Sequence, residues 1–267
     1  MINVEDLIKI CKAAGDEIMK IYNTSDISKM EIEYKNDNSP LTLADKKSNQ
    51  IICDLLKNNY PEIPILSEEG SKVPYEERKK WSKFWLIDPI DGTKEFIKKN
   101  GEFTVNIALI KDQQPSMGIV YAPVLDKYWF GSKKDGAFKL ENGRKNKIKV
   151  NKDISSTVKV VASRSHKSPR LDNFLSNFKD YELVSMGSSI KICLVAEGKA
   201  DIYPRLAPTM EWDTAAAHAV LKYADGALID TSTNKEMMYN RKNLKNAYFI
   251  ANSIIDLEEL LNWKFYF

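Results

Sequence analysis

The chain has 267 residues, enough for one large domain or two small ones and for a sizeable hydrophobic core. Its 43% hydrophobic and 29% charged residues describe an ordinary globular protein and exclude a disordered one. The 40 Lys and Arg against 37 Asp and Glu leave a net charge of +3, too little for the general field of a protein that binds a nucleic-acid polymer.

The first 22 residues alternate acids and lysines with apolar positions and lack a signal-peptide core. No apolar run reaches bilayer-spanning length, so a cytoplasmic protein without an integral membrane segment is expected. Cys11, Cys53 and Cys193 are odd in number, far apart and without a Cys-x-x-Cys pair. They read as buried free thiols rather than as a disulfide framework or zinc site.

In chain order, Val4, Leu7, Ile8, Cys11, Ala14, Ile18 and Ile21 recur at helical spacing, with Asn3 placed to cap the first turn. A second helix is expected over 42–58, burying Ile51, Ile52, Leu55 and Leu56 between Pro40 and Pro61. A short strand over 63–66 precedes one over 84–87 that ends at Asp88-Pro89. Phe103, Val105, Ile107 and Leu109 then alternate with smaller or polar residues. Further strands are expected over 117–121, 128–130, 137–140 and 148–150, with Gly131, Asp135-Gly136 and Asn142-Gly143 supplying turns, which makes an antiparallel meander.

After Asn151 strands (158–162, 181–184, 200–203) alternate with helices (171–178, and 188–197 ended by Gly198). A last helix buries Trp212, Ala215, Ala216, Ala219, Val220 and Tyr223 and closes at Asp225-Gly226. The expected fold class is therefore α/β, with an α+β half over 1–150 and an α/β half over 151–267.

The chemistry concentrates in acids. In Trp85-Leu86-Ile87-Asp88-Pro89-Ile90-Asp91-Gly92-Thr93 an apolar strand delivers Asp88 to its end and Asp91 follows in a turn. Two carboxylates with the Ile90 carbonyl between them suit a hard divalent cation, although Asp-Pro and Asp-Gly are also ordinary turn dipeptides. Ser67-Glu68-Glu69 follows a short strand. Asp45 sits in the first turn of the second expected helix, where a carboxylate also favours the helix dipole, and Glu211-Trp212-Asp213 opens the alanine-rich helix in the same way.

Four blocks in this order, Asp37-x-Ser39-Pro40-x-Thr42-x-Ala44-Asp45, Ser67-Glu68-Glu69, Asp88-Pro89-Ile90-Asp91-Gly92-Thr93 and Trp212-Asp213-x-Ala215-Ala216, resemble the inositol monophosphatase superfamily of lithium-sensitive, magnesium-dependent phosphatases. The resemblance implies a layered α/β/α/β/α sandwich and two or three Mg2+ ions per site. It also implies metal ligation by Glu68, Asp88, the Ile90 carbonyl, Asp91 and Asp213, with Asp45 beside the site for a further ion or for water activation. Thr93, together with Asp45 and Glu68, would orient the attacking water. Asp91, Gly92, Thr93 and Asp213 would also contact substrate. Clustered carboxylates repel one another without cations, so their convergence in space would itself argue for metal.

The C-terminal half separates the possible phosphate esters. Gly187-Ser188-Ser189-Ile190-Lys191 is expected to open a helix whose amides and hydroxyls face a phosphate, and Ala200-Asp201-Ile202-Tyr203-Pro204-Arg205 ends a strand with a cation. These stretches, with Lys94-Glu95-Phe96 after the threonine, are similar to the 3'(2'),5'-bisphosphate nucleotidase branch of the superfamily. That similarity implies that Gly187, Ser188, Lys191 and Arg205 hold the non-reacting phosphate and that His166, in Ser163-Arg164-Ser165-His166, approaches the nucleotide.

By themselves Lys191 reads as a solvated lysine and Arg205 as a cation paired with a surface acid, and His218, among alanines, reads as structural. One departure from the superfamily is Asp225-Gly226-Ala227, where many members have paired glycines. The expected substrate is a small nucleotide bisphosphate, adenosine 3',5'-bisphosphate, with its 5'-phosphosulfate relative, which implies clearance of a by-product of sulfate assimilation. An inositol-1-phosphate phosphatase is the alternative enzyme. A metal-loaded phosphate-binding regulatory protein is the non-enzymatic rival; it would be expected to have lost a ligand or the threonine, and all are present.

Overall fold

The computed structural model describes residues 2–35, 39–153, 157–162 and 169–253. Helix α1 (Val4–Tyr22) starts where the Asn3 side chain accepts from the Glu5 amide at 3.1 Å, and it buries Leu7, Ile10, Cys11, Ala14 and Ile18. A 3-10 turn and the two-residue strands β1 (Glu33–Tyr34) and β2 (Pro40–Leu41) lead to α2 (Leu43–Asn59). Then come β3 (Ile65–Ser67), α3 (Tyr75–Arg78), β4 (Lys83–Asp91), α4 (Thr93–Ile97), β5 (Thr104–Lys111), β6 (Gln114–Ala122), β7 (Lys127–Ser132), β8 (Gly136–Glu141) and β9 (Arg144–Lys147). The remainder holds β10 (Val158–Ala162), α5 (Pro169–Leu175), β11 (Tyr181–Ser185), α6 (Ile190–Ala196), β12 (Ile202–Arg205), α7 (Glu211–Tyr223), β13 (Ala227–Asp230), β14 (Lys235–Glu236) and β15 (Phe249–Asn252).

Two sheets result. The first runs β3-β4-β5-β6-β7-β8-β9, antiparallel except for the parallel β3–β4 pair. The second runs β11-β10-β12-β15-β13-β14, with β10 parallel to β11 and β12 and the other pairs antiparallel. Strand alternation divides the core. Trp85, Ile87, Val105 and Ile107 face α1 and α2, whereas Phe84, Leu86, Ala108 and Ile110 face the opposite way. That second face shares a core with α6, α7 and the inner side of the second sheet, including Val161, Tyr203 and Phe249. The outer side of the second sheet packs Val160, Ile202 and Ile250 on Leu171 and Phe174 of α5. The layers are therefore helix, sheet, helix, sheet, helix, as the family resemblance implies.

Several local expectations are corrected. Gly131 is not a turn residue; it lies inside β7, where an added Cβ would fall 2.6 Å from the Ala219 carbonyl oxygen. Gly118 in β6 meets Ala216 in the same way, at 2.4 Å, so the two glycines and the alanine stripe of α7 let a helix backbone lie against the sheet. Residues 148–150 do not form a strand. The ladder ends at Lys147, and Ile148 and Val150 are buried as the chain crosses to the second half, where the Val150 amide donates to Ala224 at 3.0 Å. The helix expected over 188–197 is confined to Ile190–Ala196.

Cys11, Cys53 and Cys193 are free thiols as expected, but Cys53 is only partly buried. His218 is fully buried between the Tyr239 hydroxyl at 2.9 Å and Glu236 at 3.2 Å, which is the structural role expected. Among the described residues, no helix is long and apolar enough to cross a membrane.

Candidate active site

The site forms where β3, β4 and the N-terminal ends of α2, α4 and α7 meet. In a regular strand Asp88 and Asp91, three positions apart, would point to opposite faces. Here Asp88 pairs with Asn106 and Asp91 with Thr104, so Pro89 and Ile90 together oppose Val105 alone. This bulge restores both aspartates to one face, because Thr104 and Asn106 are two residues apart on β5. Proline has no amide to lose from the ladder, and its carbonyl accepts from Ser48 of α2 at 3.0 Å. Gly92 makes the turn into α4 at φ +96°, a conformation that favours glycine.

Two more acids use a shared device. Asp45 and Asp213 each occupy the third position of a helix and bond back to the amide before its start. Thr42 donates to Asp45 Oδ2 at 2.7 Å and Met210 donates to Asp213 Oδ2 at 2.9 Å. The capping alternative for both residues is thus real, and it coexists with a second task. Thr93 Oγ1 lies 3.2 Å from Asp45 Oδ1 and 3.3 Å from the Ile90 carbonyl, both of which accept from it.

One carboxylate oxygen from each of Glu68, Asp88 and Asp213 lies within 4.8 Å of the other two. Asp88 is 1% exposed, and burial followed by the neighbouring charges of Glu68, Asp91 and Asp213 pushes its pKa well up. Burial, then Asp91 and Glu68, does the same to Asp213. Burial raises Asp45 to about 6. A buried all-oxygen donor set whose charges oppose one another fits a hard divalent cation.

Asp91 stands slightly apart from the trio. Its Oδ2 accepts from the Ser189 amide, and although burial raises its pKa, Lys191 draws it back down. The helix-start amide expected to face a phosphate is therefore engaged by a carboxylate of this chain.

Beyond Asp91 the cleft turns basic. Burial lowers Lys191 to about 8 against the opposing pull of Asp91. Its ammonium donates to the Ser188 carbonyl at 2.6 Å and lies 5.5 Å above the Tyr203 ring. Arg205 donates to Pro208 O at 3.2 Å, while its Nε is buried without a partner among the described residues.

Two cavities of about 510 and 380 Å3 hold the acidic and basic ends. Asp91, Gly92, Lys94, Glu95, Thr209 and Asp213 line both, so they form one trough. Gly187 and Ser188 line its basic end. His166 and Asp37 lie outside the described residues.

Several neighbours carry no local sequence signal. Lys35 bridges Glu68 at 2.7 Å and Glu69 at 2.5 Å, and Lys98 and Lys245 line the trough. Thr104 and Asn106 read as polar members of an alternating strand. Their pairing opposite two acids is the only clue, and it requires the sheet register.

Residues 3–263 match the inositol monophosphatase family. The protein named 3'(2'),5'-bisphosphate nucleotidase CysQ from Salmonella typhimurium is 43% identical over 247 residues, 92% of this chain and 98% of the relative. A CysQ of the same name from Haemophilus influenzae is 31% identical over 92% of this chain and 91% of its own. The crystal structure of CysQ from Bacteroides thetaiotaomicron, described as a bacterial member of the inositol monophosphatase family, aligns at TM-score 0.81 and 41% identity over 94% of this chain and 97% of the other. An IMPase from Thermotoga maritima shares the fold at TM-score 0.77 with 21% identity, over 97% and 95% of the two chains.

Proposed function

This chain belongs to the inositol monophosphatase family, and from that premise we propose that its trough hydrolyses the 3'-phosphate of adenosine 3',5'-bisphosphate to give AMP and inorganic phosphate. The observation that carries the reading is the two-signed trough: a carboxylate trio at one end, and Lys191 and Arg205 at the other. A substrate with one phosphate to lose and a second to anchor matches both ends, whereas inositol 1-phosphate has nothing for the basic end. The nucleotidase name of relatives that match over nearly their full length supports the same substrate class.

Glu68, Asp88, the Ile90 carbonyl, Asp91 and Asp213 would hold two or three Mg2+ ions, with Asp45 at the margin. Bound there, the ions would neutralise charge on the leaving oxygen and make water a better nucleophile. Thr93 and Asp45 orient the attacking water by hydrogen bonds. Asp45, raised to about 6 by burial, is matched to accept the water proton near neutral pH. The water oxygen bonds to phosphorus, the bond from phosphorus to the 3'-oxygen breaks, and that oxygen takes a proton from solvent. Lys191 and Arg205 pair with the 5'-phosphate, with Gly187 and Ser188 around it, while Gly92 and Thr93 contact the reacting phosphate; for His166, outside the described residues, a role toward the nucleotide is proposed from the sequence resemblance alone. A cytoplasmic role in removing this by-product of sulfate assimilation, and action on the 5'-phosphosulfate form, complete the proposal.

Phosphate release by the purified chain with Mg2+, compared across adenosine 3',5'-bisphosphate, its phosphosulfate relative and inositol 1-phosphate, tests it. Faster turnover of the inositol ester than of either nucleotide would overturn the nucleotidase reading.

A further inference from the structure

Lys191 and Arg205 of the basic end belong to the second half of the chain and all of the acids but Asp213 to the first, and a chain of hydroxyls joins the two halves. Thr104 Oγ1 lies 2.7 Å from Ser188 Oγ and 2.8 Å from Ser189 Oγ, and Ser189 Oγ donates to Asn106 Oδ1 at 2.9 Å. Either hydroxyl of each Thr104–serine contact can be the donor, and the Ser188 hydroxyl also hydrogen-bonds the Asp91 carboxylate. Of these residues, Thr104, Ser189 and Asn106 are buried. Chains of this kind, shielded from water, hold their members in one arrangement.

Thr104 stands at the centre of two arms. Through Ser188 it reaches the anchor, because the Ser188 carbonyl receives the Lys191 ammonium at 2.6 Å. Through Ser189 it reaches the acids, because the Ser189 amide donates to Asp91, the residue directly opposite Thr104 in the β4–β5 ladder. Ser188 is held at φ +54°, a left-handed conformation unusual for serine, and its hydroxyl is bonded to Thr104.

We propose that the Thr104 hydroxyl is a positioning residue that sets the separation between the Lys191 anchor and the Asp91 carboxylate, and thereby the preference for substrates carrying two phosphates. The inference rests on the proposed reading of Lys191 as the anchor for a second phosphate. Thr104 itself touches neither phosphate. Its effect is greatest for ligands that must span both ends, since a substrate with one phosphate feels only the adjustment at Asp91 and not the gap.

Thr104→Val keeps the shape and removes the hydroxyl; Thr104→Ser keeps the hydroxyl and removes the methyl. With Mg2+, Thr104→Val should lose at least about tenfold in kcat/KM on adenosine 3',5'-bisphosphate, mainly through KM. It should lose less than about threefold on 3'-AMP, which has the same reacting group and no 5'-phosphate. Thr104→Ser should restore the bisphosphate value to within about threefold. Thr104→Ala, which removes the hydroxyl without adding bulk, should reproduce the selectivity loss should the valine variant fold poorly.

Independently of any substrate, amide exchange at Ser189 in the full chain with chelator should accelerate at least about tenfold in Thr104→Val, with Tm little changed. Equal losses on both nucleotides, or a serine variant as impaired as the valine one, would overturn the selectivity role. Unchanged Ser189 exchange would overturn the positioning role of the Thr104 hydroxyl itself. A wild-type chain indifferent to the 5'-phosphate would instead remove the anchor reading, and the exchange measurement would still decide whether the Thr104 hydroxyl holds the Ser189 segment.

Discussion

Replacing Lys191 with methionine separates the anchor from the scaffold. The side chain is 6% exposed, its ammonium is held by one carbonyl and one ring face, and burial has already pulled its pKa to about 8. Methionine keeps the buried length but takes away the cation that faces buried Asp91, so Tm should hold or fall modestly. A charge-assisted contact to a phosphate contributes about 1.5–3 kcal/mol. At about 1.4 kcal/mol per tenfold, the variant should raise KM for adenosine 3',5'-bisphosphate by about 10- to 100-fold with kcat largely spared.

The pH dependence has a definite sign. Lys191 is charged below about 8 and neutral above it, so wild-type KM should climb as pH rises through that value. The variant has no proton to lose there and its KM should stay flat. Steady-state kinetics from pH 6.5 to about 9.5 on the bisphosphate and on 3'-AMP measure both effects. Equal losses on the two substrates would show that Lys191 serves the fold or the common chemistry, and the anchoring argument would fail.

Three further outcomes are expected. Excess chelator should abolish turnover, and Asp91→Asn should lower kcat at least about 100-fold because it weakens charge stabilisation in the transition state; full activity in chelator would refute the metal-dependent reading. Lithium should inhibit, and less so as Mg2+ rises, if the small singly charged ion competes for one of the carboxylate sites; a titration of Li+ at several Mg2+ concentrations checks this. Gly131→Ala places a methyl against the backbone of α7, so it should cost about 1–3 kcal/mol, seen as a Tm lower by roughly 2–10 °C; an unchanged Tm would show that α7 can move away.

Much of the site is legible locally because its signals are local. Asp45 and Asp213 stand third from a helix start, an acid that caps the preceding amide, and the helices containing them follow from apolar spacing. Asn3 and the period of α1 mark that helix in the same way. The order of Glu68, Asp88, Asp91 and Asp213 along the chain names the acids without saying how they meet.

What the tertiary structure decided depends on partners distant in sequence. The bulge that turns Asp88 and Asp91 to one face exists only relative to β5, since two residues count as extra only when a ladder pairs them with one. Gly131 carries the same local turn signal as Gly136, yet one packs under a helix and the other makes a turn; the deciding neighbour, Ala219, lies 88 positions away. β13 and β15 are four residues each, too short for a strong period, and form by pairing with each other and with β12. The acids and their order were written in the chain, because side-chain chemistry and helix capping act over a few residues. The convergence of those acids, and the hydroxyl bridge from Thr104 to Ser188 and Ser189, came from sheet register and layer packing, which no local window contains.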